Sequence, residues 1–172
     1  MSSNQRWYER TILRSGRKQE RLEREDAALH EAVLDFFEEV ASRFSHARVW
    51  SQDHDTPQAP SINLGCDLPG TATVTAYPSM DWIDLSAGHT SFEVITGKHH
   101  REGALQRVRA VLEAVSTGGF EETVWKLGGK LLRSRAVFKP PEGRPIVAVR
   151  SASPISLIVR WGRAHLRWLP YQ

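Results

Sequence analysis

An α+β fold, with antiparallel β meanders packed against two helices, is what the 172-residue sequence predicts, and three observations carry that prediction. Apolar residues recur at three- and four-residue steps over residues 22–44, the period of an amphipathic helix. From residue 47 the period changes to two, as in half-buried strands joined by short turns. A second helical period over 102–116 is followed by two alternating segments that flank Gly128-Gly129.

The elements follow in chain order. Residues 1–21 form a basic arm in which Arg6, Arg10, Arg14, Arg17, Lys18 and Arg21 fall three or four apart, one stripe of a partly helical segment. Residues 22–172 are expected to make a single α+β domain. Its first helix buries Leu29, Val33, Phe36, Phe37, Val40 and Phe44 and turns Asp26, Glu31, Asp35, Glu38 and Glu39 to solvent. Val49-Trp50 reads as a short strand and Ser51 to Pro60 as a polar loop. Three strands then follow at Thr71–Tyr77, Trp82–Leu85 and Ser91–Thr96, joined by turns at Pro78 to Asp81 and at Ala87-Gly88.

The second helix presents Leu105, Val108, Leu112 and Val115 on one face and stops at Gly118-Gly119. Phe120–Leu127 and Lys130–Phe138 should pair as a hairpin, since two glycines suit the positive φ of a two-residue turn. A regular register sets Trp125 opposite Leu132. Strands are also expected at Ile146–Arg150 and Ile155–Trp161, ahead of a basic, aromatic tail.

Charge is divided along the chain. Residues 1–24 carry +4, residues 25–125 carry −10 and residues 126–172 carry +9, for a net charge of +3. Eighteen of the 23 basic residues are Arg, which grips carboxylates and phosphates with a planar fork. That bias also suits a GC-rich, bacterial source. The charged N-terminus has no apolar stretch of signal-peptide length, and no segment has the length of a membrane span, so a cytoplasmic location is expected. One cysteine, Cys66, cannot form an internal disulfide and agrees with a reducing compartment.

Standard catalytic motifs fail on their residues. His30-Glu31 opens a zinc-protease pattern, but Leu34 stands where the second His is needed. Gly97-Lys98 and Gly129-Lys130 lack both the upstream Gly and the following Ser or Thr of a phosphate loop. No Gly-x-Gly-x-x-Gly and no Gly-x-Ser-x-Gly occurs. Cys66 reads as a packing or idle thiol in a loop-like stretch, and no cofactor or metal is expected. Asp84, Glu121 and Glu122 read as solvent-side residues of half-exposed strands.

The expectation by elimination is a non-enzymatic protein-binding module of the immunity, adaptor or chaperone-like kind, using segregated charge patches. Its acidic face would be Asp26, Glu31, Asp35, Glu38 and Glu39, and its partner another protein or a second copy of the chain. An alternative is a nucleic-acid binder using the basic arm with Arg160, Trp161, Arg163, Arg167 and Trp168, where Arg interleaves with indole. A third reading is an enzyme with a non-standard site at Cys66, Asp53 to Asp55 and His89 to His100.

Overall fold

The computed structural model describes residues 24–52, 60–79, 81–96, 100–127, 130–151 and 163–171. The basic arm, Asp53 to Asp55, His99, Arg160, Trp161 and the strand expected at Ile155–Trp161 lie outside the described residues.

Helix α1 is helical over residues 24–41 and buries Leu29, Val33, Phe37 and Val40, the predicted face. It ends earlier than its apolar period. Arg43 and Phe44 donate to the carbonyls three residues back, Val40 and Ala41, which tightens the last turn and closes the helix. Phe44 then leaves the helix and meets Tyr171 edge-on at 6.0 Å.

Five strands follow as an antiparallel meander in the order β1-β2-β3-β4-β5: Ala47–Gln52, Ser61–Cys66, Val74–Pro78, Trp82–Ala87 and Thr90–Ile95. Strand β2 was not expected, although Ser61, Asn63 and Gly65 alternate with Ile62, Leu64 and Cys66. It is buried on both faces. Ile62 and Leu64 enter the core, while Ser61, Asn63 and Gly65 are covered on the other side. A side chain at Gly65 would collide with the Trp50 ring, 2.9 Å from the Cβ position. Asn63 is buried but satisfied, donating to the Trp50 carbonyl at 3.3 Å and accepting from the Thr75 hydroxyl at 2.8 Å. Cys66 thus ends a strand and is not part of a loop.

Helix α2, Arg101–Ser116, packs Ala104, Val108, Val111, Leu112 and Val115 against the same core. It stops where two glycines were expected to stop it. Gly118 has φ +80°, and a Cβ on Gly119 would lie 2.1 Å from the Lys139 carbonyl oxygen. On their exposed sides the helices are joined by Arg109 Nη2 to Glu39 Oε1 at 2.7 Å, and Arg43, just past the end of α1, reaches Glu113 at 3.4 Å.

The second sheet has the order β8-β7-β6-β9, from Phe120–Leu127 (β6), Lys130–Phe138 (β7), Ile146–Ser151 (β8) and Arg163–Arg167 (β9). The hairpin β6–β7 is where it was expected, but its register shifts at Trp125/Lys126, so Trp125 faces Arg133 and not Leu132. Strand β9, expected only as a basic tail, returns antiparallel beside β6. Phe120 stacks on Phe138 at 4.8 Å and on Trp168 at 5.9 Å, and Phe92 of the first sheet closes on Phe138 at 5.6 Å. One cluster of buried side chains therefore joins both helices and both sheets.

The C-terminal segment ties these layers together. Leu169 and Tyr171 donate backbone hydrogen bonds to Gly70 and Ser116. The buried Tyr171 hydroxyl lies 2.6 Å from the Ala72 carbonyl and 3.2 Å from that of Leu64. Burial, and then the nearby Cys66, push this phenol well above the usual tyrosine range near 10. An acid whose proton is held more tightly in the folded state adds stability below its unfolded pKa and loses it as pH rises. Tyr171→Phe should cost about 1–2 kcal/mol at neutral pH in urea unfolding, for one lost buried hydrogen bond. In the wild type, stability should fall from about pH 10 upward, and that fall should shrink in the variant.

Candidate functional site

Two arrangements in the fold are chemically distinctive, a buried carboxylate between the sheets and a basic face on the outside of the second sheet. The carboxylate is Glu122 of β6, with no exposed surface. It was expected on the solvent side of its strand, but its position shares a face with Phe120 and Val124, and that face is the core. The turn between β4 and β5 supplies its partners. The His89 amide donates to Oε1 at 3.0 Å and Oε2 at 3.1 Å, and the Thr90 hydroxyl donates to Oε1 at 2.6 Å. His89 Nδ1 lies 3.2 Å from Oε2. Behind them, Ser134 Oγ is 2.8 Å from Thr90 Oγ1 and 3.2 Å from the His89 carbonyl oxygen, so its one proton serves one or the other.

The turn itself requires glycine. Gly88 has φ +59°, and a Cβ there would stand 2.7 Å from Glu122 Oε2 and 3.0 Å from the Trp168 ring. The turn backbone is thereby clasped between a carboxylate and an indole.

A carboxylate, an imidazole and two hydroxyls together resemble the parts of an acyl-transfer triad, and their connections decide against it. A nucleophilic hydroxyl must be hydrogen-bonded to the imidazole nitrogen that takes its proton. Thr90 gives its proton to Glu122 directly, and the Ser134 proton goes to Thr90 or to the His89 carbonyl, never to an imidazole nitrogen. Both hydroxyls are also fully buried. The cluster is a joint between the sheets.

The outer face of the second sheet is built differently. Across the strands, one row sets Val149, Arg135, Thr123 and His165 side by side. The neighbouring rows contain Ser151, Arg133, Trp125 and Arg163, and Val147, Val137, Glu121 and Arg167. Glu121 is the single carboxylate on this face among the described residues. Lys139 Nζ holds it at 2.8 Å, and that hydrogen bond, with the positive charge of Lys139, His165 and Arg167, keeps its carboxyl below the usual range. Arg135 and Arg167 are exposed and make no ion pair with the described residues. Val147 and Val149 are each 48% exposed beside them.

Both indoles here are already occupied. The Arg133 guanidinium lies over the Trp125 ring at 5.2 Å, and Trp168 stacks on Phe120 on the opposite, inner side.

The expected acidic helix face is only partly free. Glu39 is tied to Arg43 and Arg109. Asp26 is half-buried, and burial raises its carboxyl while His30 opposes the shift. Glu31, Asp35 and Glu38 are exposed and unpaired among the described residues. Of the expected anion contacts, Arg163 and Arg167 lie on β9, with Arg167 exposed in the basic face, whereas Trp168 belongs to the core. Arg133, Arg135 and His165 had not been singled out; their signal was the two-residue spacing of cations in a strand.

His30, His89, His100 and Cys66 do not converge. His30 bonds the Pro60 carbonyl, His89 bonds Glu122, and His100 stands at the N-terminal boundary of α2 with no side-chain cap hydrogen bond. No group of three metal-ligating side chains occurs among the described residues. No described helix is long and apolar enough to cross a membrane. Comparisons with protein-family models, curated proteins and solved structures find no match to this chain.

The joint and the face should separate in a stability experiment. Glu122→Gln keeps the volume and removes the charge, and should lower the unfolding free energy by about 2–3 kcal/mol. Arg135→Ala should stay within about 0.5 kcal/mol of wild type, as an exposed residue away from any joint. Urea unfolding of the two variants checks both values.

Proposed function

We propose that this chain is a non-enzymatic protein-binding module that holds an acidic partner surface on the outer face of the β8-β7-β6-β9 sheet. The observation that supports it most is the composition of that face: unpaired Arg135 and Arg167 and the exposed edge-strand residues Val147 and Val149, around a lone, already neutralised Glu121. Protein interfaces are enriched in Arg and aromatic residues beside apolar surface, and cations there select an acidic partner and speed its encounter. An adaptor- or immunity-type role in a bacterial cytoplasm is the cellular setting that goes with this proposal.

A nucleic-acid partner would use the same cations, and the tryptophans weigh against it. Single-strand binders stack bases on free aromatic faces. On this sheet Trp125 is covered by Arg133 and Trp168 by Phe120, and the exposed Trp50 and Trp82 belong to the other sheet, away from these cations.

The test compares a fluorescent 20-residue Glu- and Leu-containing peptide with a 20-nucleotide single strand, by anisotropy at low and physiological salt. The peptide should bind more tightly, and Arg135→Glu/Arg167→Glu should weaken it by roughly tenfold or more, about 0.7 kcal/mol for each exposed charge. Arg24→Glu/Arg48→Glu, with the same change in net charge elsewhere, should leave it within about twofold. Tighter binding of the oligonucleotide, with a steep salt dependence, would replace the protein partner by a nucleic acid.

A further inference from the structure

Away from the basic face, a groove of about 440 Å³ runs between the second half of β5 and the first two turns of α2. That volume is in the range of small-molecule sites. Its floor is apolar, made by Val94 and Ala104, both almost fully buried. Ile95, 68% exposed, stands at one side. Glu93 lies on the strand wall, and Arg107 and His100 lie on the helix wall. Glu93 and Arg107 make no ion pair with the described residues, and Glu93 lies across the strands from Asp84.

Gly103 lies on the helix wall of the groove. It sits inside α2, where glycine is unfavourable relative to alanine, and its φ is not one that demands glycine. A Cβ added there would meet no atom within 4 Å.

We propose that this groove binds a small zwitterion with an apolar side chain, the chemistry of a free apolar α-amino acid. Arg107 takes the carboxylate with its planar fork, assisted by His100. Glu93 takes the ammonium group from the opposite wall. The side chain lies on Val94 and Ala104 beside Ile95. A simple anion would leave Glu93 facing like charge, and a simple cation would leave Arg107 so placed; a zwitterion satisfies both walls. A metal ion is disfavoured by the guanidinium beside the two potential ligands Glu93 and His100.

Titration of the full-length protein with L-phenylalanine and L-leucine, followed by calorimetry and by amide chemical shifts, tests the proposal. One site should be seen, with the shifts centred on residues 93–95 and 103–107. N-acetyl-L-phenylalanine, lacking the ammonium group, and L-phenylalaninamide, lacking the carboxylate, should each bind about tenfold more weakly. Gly103→Leu should fill the groove and abolish binding. Arg107→Gln, an exposed change compatible with folding, should make phenylalanine and its amide bind alike; Glu93→Gln should do the same for phenylalanine and its acetyl derivative. Absence of binding at 10-millimolar ligand (a concentration of the order expected for weak fragments), equal affinity for all three compounds, or unchanged affinity in Gly103→Leu would each overturn it. These residues lie outside the basic face, so failure here leaves the acidic-partner reading untouched, and the reverse also holds.

Discussion

The carboxylate of Glu122 is the point on which the rest of this structure turns. A charged group removed from water is costly unless each of its lone pairs finds a donor. Glu122 finds them in one four-residue turn of the other sheet, through the His89 amide, the Thr90 hydroxyl and the His89 ring. The requirement is geometrically strict. It brings the end of the β4–β5 hairpin onto β6, and it admits no side chain at Gly88, where the carboxylate and Trp168 converge. Apolar contacts alone would tolerate a sheet sliding on its neighbour, whereas a buried carboxylate with a fixed donor set specifies one position.

From that position the remaining architecture follows. With Glu122 facing inward, Phe120 and Val124 face inward too, and Phe120 meets Phe138 and Trp168 in a stacked row. The alternate residues of β6, β7 and β9 must then face outward, which is how Thr123, Arg135, His165 and Arg167 come to share one surface. The bulge at Trp125/Lys126 adds Arg133 to that surface by moving it opposite Trp125. The basic character of the face is therefore coupled to the polarity of the core. A one-residue slip in register would bury the arginines and expose the carboxylate.

Much of the fold was legible in the sequence, and what was missed has physical causes. Helices show because each exposes one face, and the hairpin β6–β7 shows because its glycines permit a tight turn. Strand β2 was missed although Ser61, Asn63 and Gly65 alternate with Ile62, Leu64 and Cys66, because Asn and Gly are poor strand formers, and only the Trp50 ring over Gly65 and the Thr75 hydrogen bond to Asn63 accommodate them. Glu122 was assigned to solvent although its spacing from Phe120 and Val124 placed it with the core. Carboxylates are rarely buried without partners, and its partners lie more than thirty residues upstream, a distance that local pattern cannot span. The basic block was visible as composition, but its gathering on one sheet face depends on β9 returning beside β6, a pairing that residues 163–167 do not announce. Likewise, the groove beside Gly103 exists only once α2 is laid along β5.

The claim that a carboxylate from one sheet positions the other is tested most directly by a double-mutant cycle between Glu122 and Thr90. Glu122→Gln, Thr90→Val and the double variant would be compared with wild type by urea unfolding. A coupling energy of about 1.5–3 kcal/mol is predicted, the range for a buried hydrogen bond to a charged group. Additive effects, with coupling near zero, would mean that the two residues are stabilised independently and that the sheets are held by apolar packing alone.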